Sequence, residues 1–272
     1  LLLLFTLPVV TAALAFDQKH GTLSAELAKY VDHSGVHYRK WKADEKGLSK
    51  YLSELAALDP QEYEHFSLGE KKALWVNAYN ALIIKIVLDH YPVHGDKSYY
   101  PPDSARQIPH LWEDYHARIA GRDINLYDIE HKIIRKFCDP RLHFVVVCAA
   151  RGCPDLRNSA YTAATFEADL DEAARRYVGQ KNNVQFDLAH KTVSVSKLFQ
   201  WFPLDFADPK DMKKHSGSPL SDDEIVLSYL LKYAPEGYAK EVSDLKSVHV
   251  IYMPYDWSLN DADKAQVDGN PR

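Results

Sequence analysis

The chain has 272 residues, 46% of them hydrophobic and 26% charged, with a formal net charge of −5. A chain of this size buries a sufficient core without metals or disulfide staples. Its mild acidity excludes the global attraction to phosphate on which nucleic-acid binders rely.

The first fifteen residues carry an apolar run, Leu1 to Val10, followed by Ala13-Leu14-Ala15, a small-x-small cleavage signal. Residues 1–15 therefore read as a signal peptide, and 16–272 as one domain. The basic stretch and initiator Met that open such leaders are absent, so the sequence is expected to start inside one. The expected location is outside the cytoplasm, periplasmic or extracellular. The apolar run is shorter than the roughly 20 residues a span requires, and no later segment reaches that length, so no transmembrane segment is expected in the mature chain. No Cys follows the small residues, which argues against a lipid anchor.

Residues 22–33 read as a short helix. The His33-x-x-x-His37 pair has helical metal-ligand spacing, but no third ligand is near, and Pro92 interrupts the similar His90–His94 pair; no metal and no cofactor are expected. Leu48 to Leu58 is an amphipathic helix, stopped by Asp59-Pro60. Ser67 and Glu70 form a capping box for a long helix running to about Leu88, apolar on almost every turn and hence central. Asn77, Tyr79 and Asn80 sit in its middle. Buried amides need partners, so these tie neighbouring loops to the helix or line a site. Residues 91–120 are a Pro-, Tyr- and His-rich loop of the kind that forms covers or binding edges, with a short hairpin near 117–122. Asn125 caps a helix over 126–137. Leu142 to Cys148 (LHFVVVC), continuous and β-branched, reads as a buried strand. After the loop AARGCPD come a helix at about 163–178, a hairpin from Val184–Phe186 and Thr192–Val195, and an aromatic segment, Phe199–Phe206. A polar insertion, Asp208–Ser221, a helix over 222–233 and a strand over 248–253 complete the chain.

The segments EKKALWVNAYNAL, INLYDIEHKIIR, DPRLHFVVVCAARGCPDLR, FQWFPLDF and PYDWSLN occur in this order. Together they resemble the domain-of-unknown-function 547 family over about Leu48 to Asn260. The resemblance implies a helix-rich single α+β domain around a small, mostly antiparallel sheet, with a papain-like or transglutaminase-like core as one form it could take. It carries over at Glu70, Trp75, Asn77, Tyr79, Asn80, Glu130, His131, His143, Cys148, Cys153, Pro154 and Arg157. Ala149 departs from the pattern, which commonly has Gly there; this argues against a positive φ after Cys148.

Chemically capable groups concentrate between Glu130 and Arg157. Cys138, Cys148 and Cys153 are the three cysteines, an odd count. Cys148 and Cys153 are close enough to pair, or could stay reduced for chemistry. A Cys nucleophile needs a base. His143 and Cys148, an odd number apart on one strand, would point to opposite faces. His131, on a helix antiparallel to that strand, is the better-placed base. The candidate catalytic set is thus Cys148, Cys153, His131 and Glu130. Asn80, His143, Arg151 and Arg157 are candidate binding residues, the arginines for a carboxylate. Three functions fit: a cysteine-dependent hydrolase or acyltransferase acting on peptide-like amides, a noncatalytic module binding a small molecule or partner, and a thiol–disulfide sensor.

Overall fold

The computed structural model describes residues 15–187, 189–207, 220–234 and 248–265. The expected leader, apart from Ala15, and most of the expected polar insertion lie outside the described residues.

The architecture is helix-rich α+β. Helices α1 (Gly21–Tyr30), α2 (Tyr38–Ala43), α3 (Lys46–Ala57) and α4 (Pro60–Glu64) precede the long central α5 (Leu68–His90). Leu23 and Leu27 of α1 and Leu48, Tyr51 and Leu55 of α3 have helical spacing and are buried. The capping box of α5 forms as its sequence implies: Ser67 Oγ accepts from the Glu70 N–H, and Glu70 accepts from the Ser67 N–H. The middle of α5 is buried all round except at Lys85, because its residues are apolar or are amides with partners.

The expected helix over 22–33 ends at Tyr30. Val31–Asp32 (β1) and Gly35–Val36 (β2) instead make a small antiparallel hairpin. Gly35 adopts a φ of 126° and lies so close to the Asn260 carbonyl that a Cβ there would clash with it. His33 and His37 therefore do not share a helix. His37 pairs with Asp32 and Asp263. Among the described residues no group of three or more His, Cys, Asp or Glu side chains could hold a metal.

The β3–β4 hairpin (His116–Ile119, Arg122–Asn125) leads into α6, which starts at Leu126–Asp128, capped by Asn125, and continues as a π turn (Ile129–Ile133) and a 3-10 turn (Ile134–Phe137). Helix α7 (Phe166–Gly179) precedes the strands β5 (Val184–Asp187) and β6 (Thr192–Ser196). After β6 come α8 (Lys197–Trp201), a 3-10 turn (Pro203–Phe206) and α9 (Asp222–Leu231). Strand β7 (His249–Met253) completes a three-stranded sheet of order β5-β6-β7, antiparallel at β5–β6 and parallel at β6–β7. No helix among the described residues is long and apolar enough to cross a membrane.

The expected strand over 142–148 is absent. Residues Pro140–Phe144 form a 3-10 turn, with Pro140 in its first turn and the Asp139 carboxylate accepting from the Arg141 N–H. The β-branched run that follows has no neighbouring strand to pair with. Its backbone bonds instead to a side chain: the Asn80 amide donates to the Val145 carbonyl (2.8 Å) and accepts from the Val147 N–H (3.1 Å). One turn earlier on α5, Asn77 treats Tyr161 in the same way, at 2.8 and 2.9 Å. The two amides act as a substitute edge strand, which satisfies buried backbone that would otherwise be orphaned.

His20, at the N-cap of α1, is 1% exposed and shares a hydrogen bond with the Tyr51 hydroxyl at 2.8 Å. Burial lowers its pKa from an ordinary 6.5 to about 4. A group depressed in the folded state contributes fully above its unfolded pKa, and that contribution is lost as pH falls from 6.5 towards 4. The loss amounts to about 3 kcal/mol. Urea titrations of the wild type and of His20→Phe between pH 7 and pH 4 should diverge by about that amount, and parallel pH profiles would contradict it.

Candidate functional site

A cavity of about 450 Å3 opens between α6, the 138–148 segment, the α8 region and the 255–257 segment. The cavity brings together Glu130, His131, His143, Cys148 and Cys153 from the candidate set. Asn80, Arg151 and Arg157 are not among its lining residues. Asn80 supports the backbone behind it, as described above. Arg151 donates to the Asp261 carbonyl (3.3 Å). Arg157 forms a 2.6 Å ion pair with Asp169.

Cys148 and Cys153 are joined by a disulfide, and Cys138 is free and exposed. The intervening loop is pinned from outside. Arg151 N–H donates to the Ser258 carbonyl, Gly152 N–H to the Asp256 carbonyl, and Asn260 N–H to the Ala149 carbonyl. Those bonds give PYDWSLN its structural role. Gly152 permits a close approach: an added Cβ would lie 3.0 Å from the Asp256 nitrogen, tight enough that the 255–256 segment would have to give way by a few tenths of an ångström. Ala149 does adopt a positive φ, 60°, despite its side chain. The expectation against it is therefore corrected: the bonds from 256–260 hold the backbone there at a cost of about 1 kcal/mol. The Tyr255 hydroxyl lies 3.1 Å from Cys153 Sγ and 3.4 Å from Cys148 Sγ. Burial pushes its pKa well above 10, so it remains an O–H donor facing sulfur.

A charged network forms one wall. Asp205, on the 3-10 turn of FQWFPLDF, accepts two hydrogen bonds from Arg135 (2.7 and 2.8 Å) and one from His143 Nε2 (2.8 Å). Burial opposes its ionisation, but His143 and Arg135 outweigh burial and hold the carboxyl far below its usual range. Phe202 stacks against His143 at 4.8 Å and lies under the Arg135 guanidinium at 5.0 Å.

Arg135 also contacts His131 Nδ1, at 3.0 Å. A guanidinium N–H can only donate, so Nδ1 accepts and the imidazole proton sits on Nε2. In this arrangement His131 offers the cavity a donor. His143 has the opposite arrangement. Its Nε2–H faces Asp205, which leaves the Nδ1 lone pair as the basic position. The expectation that His143 and Cys148 must face apart rested on a strand that does not form, and both line the cavity.

Elsewhere in the lining, Trp112 Nε1 donates to the Tyr79 hydroxyl (3.1 Å), which donates to Glu130 Oε2 (3.0 Å). Burial, reinforced by Glu130, raises the Tyr79 pKa well above 10 and keeps its proton in place. Arg106, Trp112, Trp201 and Trp257 also line the cavity. None of the four was singled out individually from sequence. The Pro-, Tyr- and His-rich loop over 91–120 and the motifs FQWFPLDF and PYDWSLN are the sequence signals that contain them.

The class these features define is an α+β protein with a disulfide-floored, aromatic-walled cavity. Residues 63–178 match the family described as protein of unknown function, DUF547. No curated protein and no solved structure matches the chain. The match includes α5, Glu130, His131 and both bonded cysteines, while the wall built from Trp201, Asp205 and Trp257 lies beyond it.

Proposed function

We propose that the protein binds a small, peptide-like organic ligand in the aromatic-walled cavity, and that it acts outside the cytoplasm. The carrying observation is the cavity itself: about 450 Å3, walled by Trp and Phe side chains and rimmed by oriented polar groups. The leader-like residues 1–15 and the Cys148–Cys153 bond support export, since disulfides persist in oxidising compartments. Thermal-shift titration against di- and tripeptides, monosaccharides and small carboxylates tests the binding. At least one peptide should raise Tm for the wild type and fail to do so for Trp201→Ala. A panel with no hit, hits from monosaccharides alone, or hits indifferent to Trp201 would refute it.

A second reading is a cysteine-dependent hydrolase or acyltransferase on peptide-like amides, in the manner of papain-like or transglutaminase-like proteins. The position of Cys148 and Cys153 in one cavity with Glu130, His131 and the His143–Asp205 pair favours it. It requires reduction of the disulfide to free a thiol, with His143 or His131 as base. Native protein treated with mild reductant should then be alkylated rapidly at Cys148, with a pH profile that His143→Gln displaces. Slow alkylation of both thiols without denaturant would count against it. Binding leads because, in the structure, the two sulfurs are bonded to each other and His131 presents a donor.

A further inference from the structure

Arg106 and Glu130 line the same cavity without pairing. Among the described residues Arg106 has no carboxylate partner, whereas the neighbouring cavity arginine, Arg135, is fully engaged by Asp205. The Arg106 guanidinium is held between three rings: Trp112 at 4.8 Å, Tyr100 at 5.1 Å and Trp257 at 5.1 Å. Its Nη2 donates to the Tyr100 hydroxyl at 3.0 Å, and its Nε is buried with no hydrogen-bond partner. Aromatic faces stabilise the cation but cannot accept its in-plane N–H groups as a carboxylate would.

Glu130 is the counterpart. Its only hydrogen-bond donor among the described residues is the Tyr79 hydroxyl, and it makes no ion pair there. Trp112 lies between the two charges: its ring stacks with Arg106, and its N–H begins the chain through Tyr79 to Glu130. The aromatic clamp and the hydrogen-bonded relay thus hold, in one recess, a cation with no carboxylate partner among the described residues and a carboxylate that Arg135 influences through space without an ion pair. Partly desolvated charges of this kind gain most from a ligand of complementary charge.

We propose that the ligand is a zwitterion, an amino acid or short peptide whose carboxylate docks on Arg106 and whose ammonium docks on Glu130. The inference rests on the ligand-binding reading above and specifies it. A ligand with a large apolar side chain is favoured, because Trp201, Phe202 and Trp257 furnish the remaining surface.

The probes are phenylalanine, alanyl-phenylalanine, N-acetyl-alanyl-phenylalanine and alanyl-phenylalanine amide, titrated by calorimetry. At least one of the two free zwitterions should bind, and comparison of the two separates amino acid from peptide. Each blocked dipeptide should bind about tenfold or more weakly than its parent if the dipeptide is the ligand. If phenylalanine is the ligand, its own N-acetyl and amide forms should show the same loss. The penalty for amidation should disappear in Arg106→Gln and persist in Arg106→Lys, and the penalty for acetylation should disappear in Glu130→Gln. Blocked forms that bind as tightly as their parents would overturn the zwitterion. So would the absence of binding by all four probes when another class in the thermal-shift panel binds. A panel with no hits at all would instead remove the underlying reading. The wild-type comparison needs no variant to fold.

Discussion

Asn80→Leu should destabilise the protein by about 4 kcal/mol, since it orphans two buried backbone groups at about 1–3 kcal/mol each. Leucine keeps the volume, so little of the loss would come from a cavity. What disappears is the amide's double bond to the Val145 carbonyl and the Val147 N–H. No strand or turn replaces it, because the run from Val145 to Val147 lies alongside a helix that presents no backbone groups of its own. The effect should also reach the site. Val147 adjoins Cys148, so the loosened backbone would make the disulfide easier to reduce. Urea unfolding measures the first effect and dithiothreitol titration the second. A loss under about 1 kcal/mol would show that the amide is not a substitute for sheet pairing.

Asp205→Ala should cost about 2–3 kcal/mol, somewhat less than fully buried charged hydrogen bonds would imply because Asp205 and Arg135 are 24% and 34% exposed. The carboxylate is the single acceptor for two Arg135 bonds and one His143 bond. Its removal leaves Arg135 and His143, neighbours on one wall, without their shared acceptor. The depressed Asp205 pKa fixes the sign of the pH effect: the contribution is present above the ordinary carboxylate range and lost as pH falls through the lowered folded value. Wild type and variant should therefore converge in stability in strong acid and separate above about pH 4. A constant gap at every pH would assign the effect to packing rather than to charge.

The periodic elements were legible. The capping box at Ser67 and Glu70, the stripe along α3 and the β5–β6 hairpin are local patterns, and they form where the sequence places them. The 142–148 segment was not legible, because a continuous β-branched run says that it is buried but not what its backbone bonds to. The partner is Asn80, sixty-five residues earlier than Val145, and only the tertiary structure brings them together. The same limit applies to the site. Glu130, His131, His143 and the two cysteines were visible as chemically capable residues clustered in sequence, and they share one cavity. Arg151 and Arg157 were plausible for the same local reason, yet their side chains bond to the Asp261 carbonyl and to Asp169. Arg106 lies in a loop with no motif of its own, and its importance comes from rings at positions 100, 112 and 257 that only folding assembles. The parallel pairing of β7 with β6 was equally hidden, since register across a long connection leaves no local trace.

The central claim is that this cavity is a ligand site with Cys148–Cys153 at its floor. The most direct measurement is a crystal structure of the protein grown with the tightest binder from the thermal-shift panel. The account predicts ordered ligand density bounded by Trp112, Trp201 and Phe202, within contact of Arg106 or Glu130. A well-ordered ligand elsewhere on the molecule, with this cavity holding only solvent, would contradict it.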